Sequence, residues 1–235
     1  MYTNTFEEFF RITTNMVDEN DYLKLSSILD IAQNIAGDHA TELKIGFNEF
    51  IKKDLIWVLI RNKVEIVKNI HDPKIIKAVT YPLKPRFIEC PREVLLYVND
   101  ELICKIHQVW CIYNIKDNNV VSYKMDDYVS NHPSLFDGRV KKLITSKDLT
   151  YIKSITIPYT YCDHNKHMNN THYLDLYLDN YFVFNKVNIK SFQIEYLKQS
   201  FLFDQIDIYA KNEMCIHKMI GKKGDDNIFY LEVYY

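Results

Sequence analysis

Hydrophobic and polar positions along this chain follow two periods in turn. "TFEEFFRIT" alternates and predicts a first strand. In "YLKLSSILDIAQNIAGDHATEL" the apolar residues Leu25, Ile28, Leu29, Ala32, Ile35 and Ala36 follow the i, i+3, i+4, i+7 spacing of a helix. Gly37 is the expected stop. The stripe is wide and includes two alanines, so close packing against a sheet is expected. Then come "LIWVLIRNKVEIVK", "KIIKAVTYPLK", "RFIECPREVLLYV" and "LICKIHQVWCIYNI", rich in β-branched and aromatic residues and read as strands. "NIHDP", "YPLKP" and "VNDE" separate them as turns, and "KDNNV" is a further hairpin turn leading to "VVSY".

The alternation lapses over residues 124–148, "KMDDYVSNHPSLFDGRVKKLITSKD", which reads as a linker. After it the order of elements recurs. "SITIPYTYCD" predicts a strand and "NNTHYLDLYLDNYF" a helix; "KVNIKSFQIEYLKQSF", "QIDIYAKNEMCIHKMIG" and "NIFYLEVYY" predict strands. The repeat is one of architecture and not of residue identity. A mainly apolar helix followed by a run of strands, occurring twice, is the pattern of an α+β double hot-dog: two tandem repeats of an antiparallel sheet wrapped around a central helix. Residues 1–123 form the first expected repeat and residues 149–235 the second.

Composition narrows the function classes. Hydrophobic residues make up 47% of 235, enough for a full core. The formal net charge of −2 gives no global pull toward nucleic acid or a membrane surface. Five cysteines, Cys90, Cys104, Cys111, Cys162 and Cys215, contain no CxxC pair, so a reducing compartment is expected in place of a disulfide framework or zinc site. "MYTNTFEEFFRIT" lacks the pattern of a signal peptide, and no apolar run reaches the ~18 residues of a membrane span. The expectation is a cytoplasmic protein without membrane insertion.

Candidate chemistry is concentrated in "YCDHNKHMNNTHYLDLYLDNYF", residues 161–182. If residues 161–167 are extended, Asp163, Asn165 and His167 share one face, and His164 and Lys166 the other. A carboxylate, an amide and an imidazole together supply a base or charge partner, a donor for a carbonyl and a proton carrier. Asn169 or Asn170 suits the N-cap of the following helix, whose free N–H groups would face a developing oxyanion. Two other readings stand beside this one. Asp and Asn also gather ahead of a helix for local turn and cap reasons. His164, His167 and His172, with Asp163, are chemically able metal ligands, although their spacing matches no zinc motif.

"DHNKHMNNTHYLDLYLD" resembles the D-x-N-x-H-x-N-N-x-x-Y signature of acyl-acyl-carrier-protein thioesterases, the plant-type enzymes and their bacterial relatives. The first half agrees: "IWVLIRNKVEIVKNIHDPKIIKAVTYP" resembles the family's W-V-L-x-R stretch and T-[WY]-P step, and "RFIE", with Arg86 and Phe87, and "VWCIYNIKDNNVVSY" resemble the segments that follow. The resemblance spans nearly the whole chain in order. It implies a double hot-dog and hydrolysis of the thioester between a fatty acyl chain and acyl carrier protein, in fatty acid biosynthesis. It implies no metal and no organic cofactor. By position the site's acid, amide and imidazole fall on Asp163, Asn165 and His167, and the N-terminal repeat is expected to hold the acyl chain, with Trp57 and Ile60 as pocket candidates.

The chain departs from the family in one motif. Downstream the family reads Y-x-x-E, often followed by Cys, whereas here the stretch is "IEYLKQSF": Tyr196 matches, but Gln199 stands for the glutamate and Ser200 for the cysteine. Gln is no base, so its expected part is to orient a water. Glu195 would lie about 13 Å from Gln199 along an extended strand, too far to substitute. The implied partner, acyl carrier protein, is acidic; Arg139, Lys141, Lys142, Lys190 and Lys198 are the candidate docking cations. A non-catalytic acyl-binding module, an acyl-CoA thioesterase and a dehydratase are the rival functions. The chain is expected to be a monomer or homodimer, with no nucleic-acid partner.

Overall fold

The computed structural model describes residues 4–136, 139–146, 148–179 and 189–235. The chain divides into two compact units, Met1–Val140 and Lys141–Tyr235.

The first unit runs β1 (Phe6–Arg11), α1 (Leu25–Glu42), α2 (Phe47–Phe50), β2 (Leu55–Ile66), β3 (Ile75–Pro82), β4 (Cys90–Val98), β5 (Glu101–Asn114) and β6 (Asn119–Val121). Its strands pair antiparallel in the order β1-β3-β4-β5-β2, with β6 on the free length of β5. The sheet packs on α1, whose buried residues (Leu25, Ile28, Leu29, Ile31, Ala32, Ile35, Ala36, His39, Ala40) spread round most of the helix, as a central hot-dog helix requires.

Gly37 does not end α1. The helix continues to Glu42 and closes on Lys44, which adopts the left-handed conformation at φ 62°. Ile45 N–H then bonds Ala40 O at 2.9 Å and Lys44 N–H bonds Thr41 O at 3.1 Å, the paired bonds of a Schellman end. Ile45 is 1% exposed and anchors a second cluster with Phe50, Leu55, Ile112 and Met125. Trp57 stacks on Phe50 at 5.3 Å and donates from Nε1 to Ile45 O at 2.7 Å, which locks the helix end to β2. "RFIE" forms a turn instead of the start of β4, with Phe87 at φ 60° and exposed. Asn99 and Asp100, both at positive φ, make the tight β4–β5 hairpin that a two-residue connection favours.

The segment expected as a linker is divided between the units. Ser130 N–H bonds Pro82 O at 2.8 Å, His132 stacks on Tyr81 at 4.0 Å, and Arg61 Nη1 holds Val140 O at 3.2 Å, so Ser130, His132 and Val140 are held on the first sheet. Gln193 Nε2 donates to Lys141 O at 2.7 Å, and Leu143 N–H to Glu195 Oε1 at 3.1 Å, so the following residues pack on the second.

The second unit runs β7 (Thr150–Thr156), α3 (His172–Tyr177), β8 (Ser191–Tyr196), β9 (Gln205–Glu213), β10 (Ile216–Lys223) and β11 (Asp226–Tyr234), in antiparallel order β8-β11-β10-β9-β7. "QIDIYAKNEMCIHKMIG" is two strands, turned at Met214 (φ 36°), because its apolar alternation continues through a hairpin. β7 ends at Thr156, and Tyr159–Tyr161 form one turn of 3-10 helix where a continued strand was expected. Helix α3 buries Tyr173, Leu174, Leu176 and Tyr177; the remainder of the expected helix, residues 180–182, lies outside the described residues. Each unit has the hot-dog plan, and the chain is a double hot-dog. Among the described residues no helix is long and apolar enough to cross a membrane.

Two glycines separate packing from propensity. A Cβ on Gly221 would meet Phe229 Cε1 at 2.2 Å, whereas one on exposed Gly37 meets nothing within 4 Å. Gly221→Ala should destabilise by about 1–3 kcal/mol, and Gly37→Ala should stabilise by about 0.5–1 kcal/mol. Urea unfolding of the two variants checks both signs.

Candidate active site

Residues 161–168 are not extended. Asp163 and Asn165 are strong turn formers, and they fold the segment back on itself. Asp163 Oδ1 accepts the Asn165 N–H at 2.8 Å, Lys166 N–H bonds Asp163 O at 2.9 Å, and Lys166 takes φ 66°. Asp163 N–H then bonds His167 O at 3.1 Å, and Cys162 pairs with Met168 across the turn. Alternation along a strand therefore does not bring the predicted trio together. A hairpin sets Asp163 opposite His167, and directly paired residues share a face. Asn165 sits exposed at the tip.

A third segment completes the arrangement. His167 pairs with Phe201, and Met168 N–H bonds Ser200 O at 2.8 Å. Met168 and Ser200 are 1% and 0% exposed and face the core. Gln199, next to Ser200, is exposed. The hairpin of Asp163 and His167 thus lies along residues 200–201, more than thirty residues on in the chain.

Tyrosines that sequence reasoning did not assign a role pin this arrangement from behind. Tyr173 OH donates to Ser200 Oγ at 3.3 Å, and burial pushes its pKa up to about 12. Ser200 is thereby a buried strut and not a nucleophile. Tyr196 OH donates to Asn170 O at 3.1 Å. Asn169 Oδ1 accepts from the Thr171 N–H (3.1 Å) and hydroxyl (3.2 Å); the N-cap position itself is Thr171, whose side chain caps nothing. The only advance signal was the spacing of Tyr173 and Tyr196 within the two motifs.

His167 is half-buried, and its Nδ1 lies 3.2 Å from Met168 O. A carbonyl only accepts, so this contact puts the proton on Nδ1 and leaves the lone pair on Nε2. Glu195 is the opposite case. It neighbours Tyr196 on β8 and so points to the other face, where Oε1 accepts from Leu143 N–H and from Gln193 Nε2 (2.9 Å), and it is 2% exposed. It does not stand in for the missing glutamate. As for the metal alternative, His172 Nδ1 is bound to Asp175 Oδ2 at 2.7 Å and its ring stacks on Tyr161 at 4.4 Å. Among the described residues no group of three or more His, Cys, Asp and Glu is placed to hold a metal ion.

The candidate docking cations divide. Arg139 pairs with Glu89 at 2.6 Å and Lys198 with Asp226 at 2.5 Å. Lys141, Lys142 and Lys190 are exposed.

Comparison with known proteins decides the family. The model described as acyl-ACP thioesterase N-terminal domain matches residues 3–131, and that of the acyl-ACP thioesterase C-terminal domain matches residues 144–229. The chain belongs to the acyl-ACP thioesterase family. It is a thioester hydrolase that releases the acyl group of acyl-acyl carrier protein as the free fatty acid. Among solved structures it is similar to an acyl-ACP thioesterase from Bacteroides thetaiotaomicron VPI-5482, with 19% identity, a TM-score of 0.89, and 98% of this chain and 97% of that one covered. It is also similar to the 12:0-ACP thioesterase from Umbellularia californica, with 16% identity, a TM-score of 0.86, and 98% and 96% covered. At these identities the two likenesses speak for the fold. No curated protein matches the sequence significantly.

The turn separates shape from charge at Asp163. Asp163→Asn keeps an oxygen for the Asn165 N–H and should leave stability within about 0.5 kcal/mol of wild type. Asp163→Ala removes that acceptor and should cost about 0.5–1.5 kcal/mol. Thermal unfolding of the pair measures the difference.

Proposed function

We propose that the hairpin carrying Asp163, Asn165 and His167, with Gln199 alongside, is the reaction centre of this acyl-ACP thioesterase, and that the enzyme ends acyl-chain growth in fatty acid biosynthesis in the cytoplasm. The observation that supports the reading is the pairing of His167 with Asp163 across the hairpin, with His167 Nδ1 tied to Met168 O so that the ring lone pair is on Nε2.

In the proposed mechanism a water held by Gln199 gives a proton to His167 Nε2 as its oxygen adds to the thioester carbonyl. The Asp163 carboxylate, across the hairpin, favours the imidazolium that results. The Asn165 side-chain amide at the tip donates to the carbonyl oxygen as it becomes an oxyanion. Collapse of the tetrahedral intermediate breaks the C–S bond, and the thiolate takes the proton back from His167. Alkyl thiols have a pKa near ~8.5, so the leaving group needs little acid assistance. Gln199 has no ionisable proton to exchange, so its part is to orient the water.

No cofactor enters this scheme. Acyl carrier protein is the proposed partner, approached through exposed Lys141, Lys142 and Lys190.

Thiol release from a panel of acyl-acyl carrier proteins of different chain lengths tests the assignment. The wild type should release thiol and reveal its chain preference. His167→Ala should lose about 10²–10⁴-fold in kcat, and Asp163→Asn should lose activity while staying folded. Full turnover in both variants would overturn the assignment.

A further inference from the structure

A tight turn beside His167 carries two phenylalanines that the fold does not bury. His167 and Phe201 are antiparallel partners, and Met168 N–H bonds Ser200 O at 2.8 Å. That bond makes 167 and 201 a pair of the non-hydrogen-bonded kind, in which Cα atoms lie about 4.5 Å apart and the side chains share a face. Asp163, paired with His167 across the hairpin, is on that face as well. Phe201 is nevertheless 45% exposed, and Phe203, two residues on, is 72% exposed.

Residues 201–204 are held firmly. Asp204 N–H bonds Phe201 O at 3.0 Å, and Asp204 Oδ2 takes the Phe201 N–H at 2.9 Å. Phe203 N–H bonds Ile157 O at 3.0 Å and Ile157 N–H bonds Asp204 O at 2.9 Å, which ties the turn to the chain leaving β7. Lys223 Nζ donates to Asp204 Oδ1 at 2.7 Å and ties it to the end of β10. Phe203 occupies the third position of this turn, at φ 67°. That left-handed conformation suits Gly or Asn and is costly for a bulky side chain. A phenyl ring that stays largely in water adds little to the core. Backbone preference and burial both argue against phenylalanine at 203, so what the residue supplies is its exposed ring.

We propose, on the reading that His167 belongs to the reaction centre, that Phe201 and Phe203 are specificity-determining residues for the thiol side of the substrate. They form an aromatic platform for the amide-containing pantetheine arm by which a carrier protein bears its acyl group. A thioester within reach of the His167 ring lies beside Phe201, and two groups extend from it. The hydrocarbon chain needs enclosure to leave water, which an exposed turn does not give. The arm alternates short methylene runs with planar amides and ends on a protein that stays in solvent. Its methylenes and amide planes suit phenyl faces, while its polar edges keep their water. Two residues of chain reach at most about 7 Å, so Phe203 meets the arm about one amide further from the sulfur than Phe201 does.

Steady-state hydrolysis of three thioesters of one acyl group tests it. The thiols are N-acetylcysteamine, which ends after the first amide, pantetheine, which continues through the second, and acyl carrier protein. Phe203→Asn should raise KM by about five-fold for the pantetheine and carrier thioesters, the size of one aromatic contact, with kcat within about two-fold. It should leave the N-acetylcysteamine thioester unchanged. Phe203→Tyr keeps the ring and should stay within about two-fold of wild type on all three. Because Asn suits the left-handed position, Phe203→Asn should melt at or above the wild-type temperature. An unchanged KM for pantetheine, an equal rise for all three thioesters, a rise for the carrier thioester alone, or a lower melting temperature would each overturn the platform. His167→Ala should lose turnover of all three thioesters; full turnover there would strike the reaction centre itself, a result distinct from each of the others.

Discussion

The bond from Met168 N–H to Ser200 O is the constraint on which the C-terminal site depends. It clips a short hairpin, whose own closing bonds would not hold it in water, to the segment leaving β8. Met168 and Ser200 are buried in the core, while His167 is half-buried and Gln199 is exposed. The Tyr173 hydroxyl on Ser200 and the Tyr196 hydroxyl on Asn170 brace the same junction from the helix and from the strand. The proposed reaction centre, built on a turn, is thus held by buried side chains behind it, which is how a loop site acquires a defined geometry.

The two units use buried polar groups differently. In the C-terminal unit the buried acids have hydrogen-bond donors: Glu195 receives Leu143 N–H and Gln193 Nε2, and Glu232 receives the Tyr230 and Tyr234 hydroxyls at 3.3 and 2.6 Å. Burial, with the Glu232 carboxylate, pushes the Tyr230 pKa up to about 12, so the phenol stays a donor. In the N-terminal unit Arg92 Nη1 donates to His39 Nδ1 and Thr80 Oγ1, while the buried atoms Gln33 Oε1, Glu93 Oε2 and Gln108 Nε2 have no hydrogen-bond partner among the described residues. Satisfied networks hold a fold together.

Much of this was legible in the residues. Period-2 runs located most strands, the 3.6-residue stripe located α1, and the repeated order of elements pointed to two hot-dogs. Gly37 was misleading because helix ends are set by backbone bonding: the left-handed position fell on Lys44, a residue that carries no such signal. The single apolar run 205–221 hid a hairpin, since alternation continues unchanged through a tight turn at Met214. In the candidate site, the spacing Asp163, Asn165, His167 suggested an extended stretch, whereas the segment is a turn. The same Asp and Asn that looked like chemistry also make the turn, and local propensity fixed the shape. The pairing with residues 199–201 was not readable, because spacing carries no information about which distant segment will lie alongside.

The central claim is that His167, with Nδ1 tied to Met168 O, offers Nε2 to the reacting group. The most direct measurement is the histidine-ring nitrogen NMR spectrum of the protein, titrated with acyl carrier protein bearing a ketone analogue of the acyl thioester, in which a methylene replaces sulfur. The His167→Ala spectrum identifies the His167 signals among the eight histidines. The account predicts a shift of His167 Nε2 on binding, with the proton remaining on Nδ1. A saturated complex in which the His167 signals are unmoved, while another histidine responds, would contradict it.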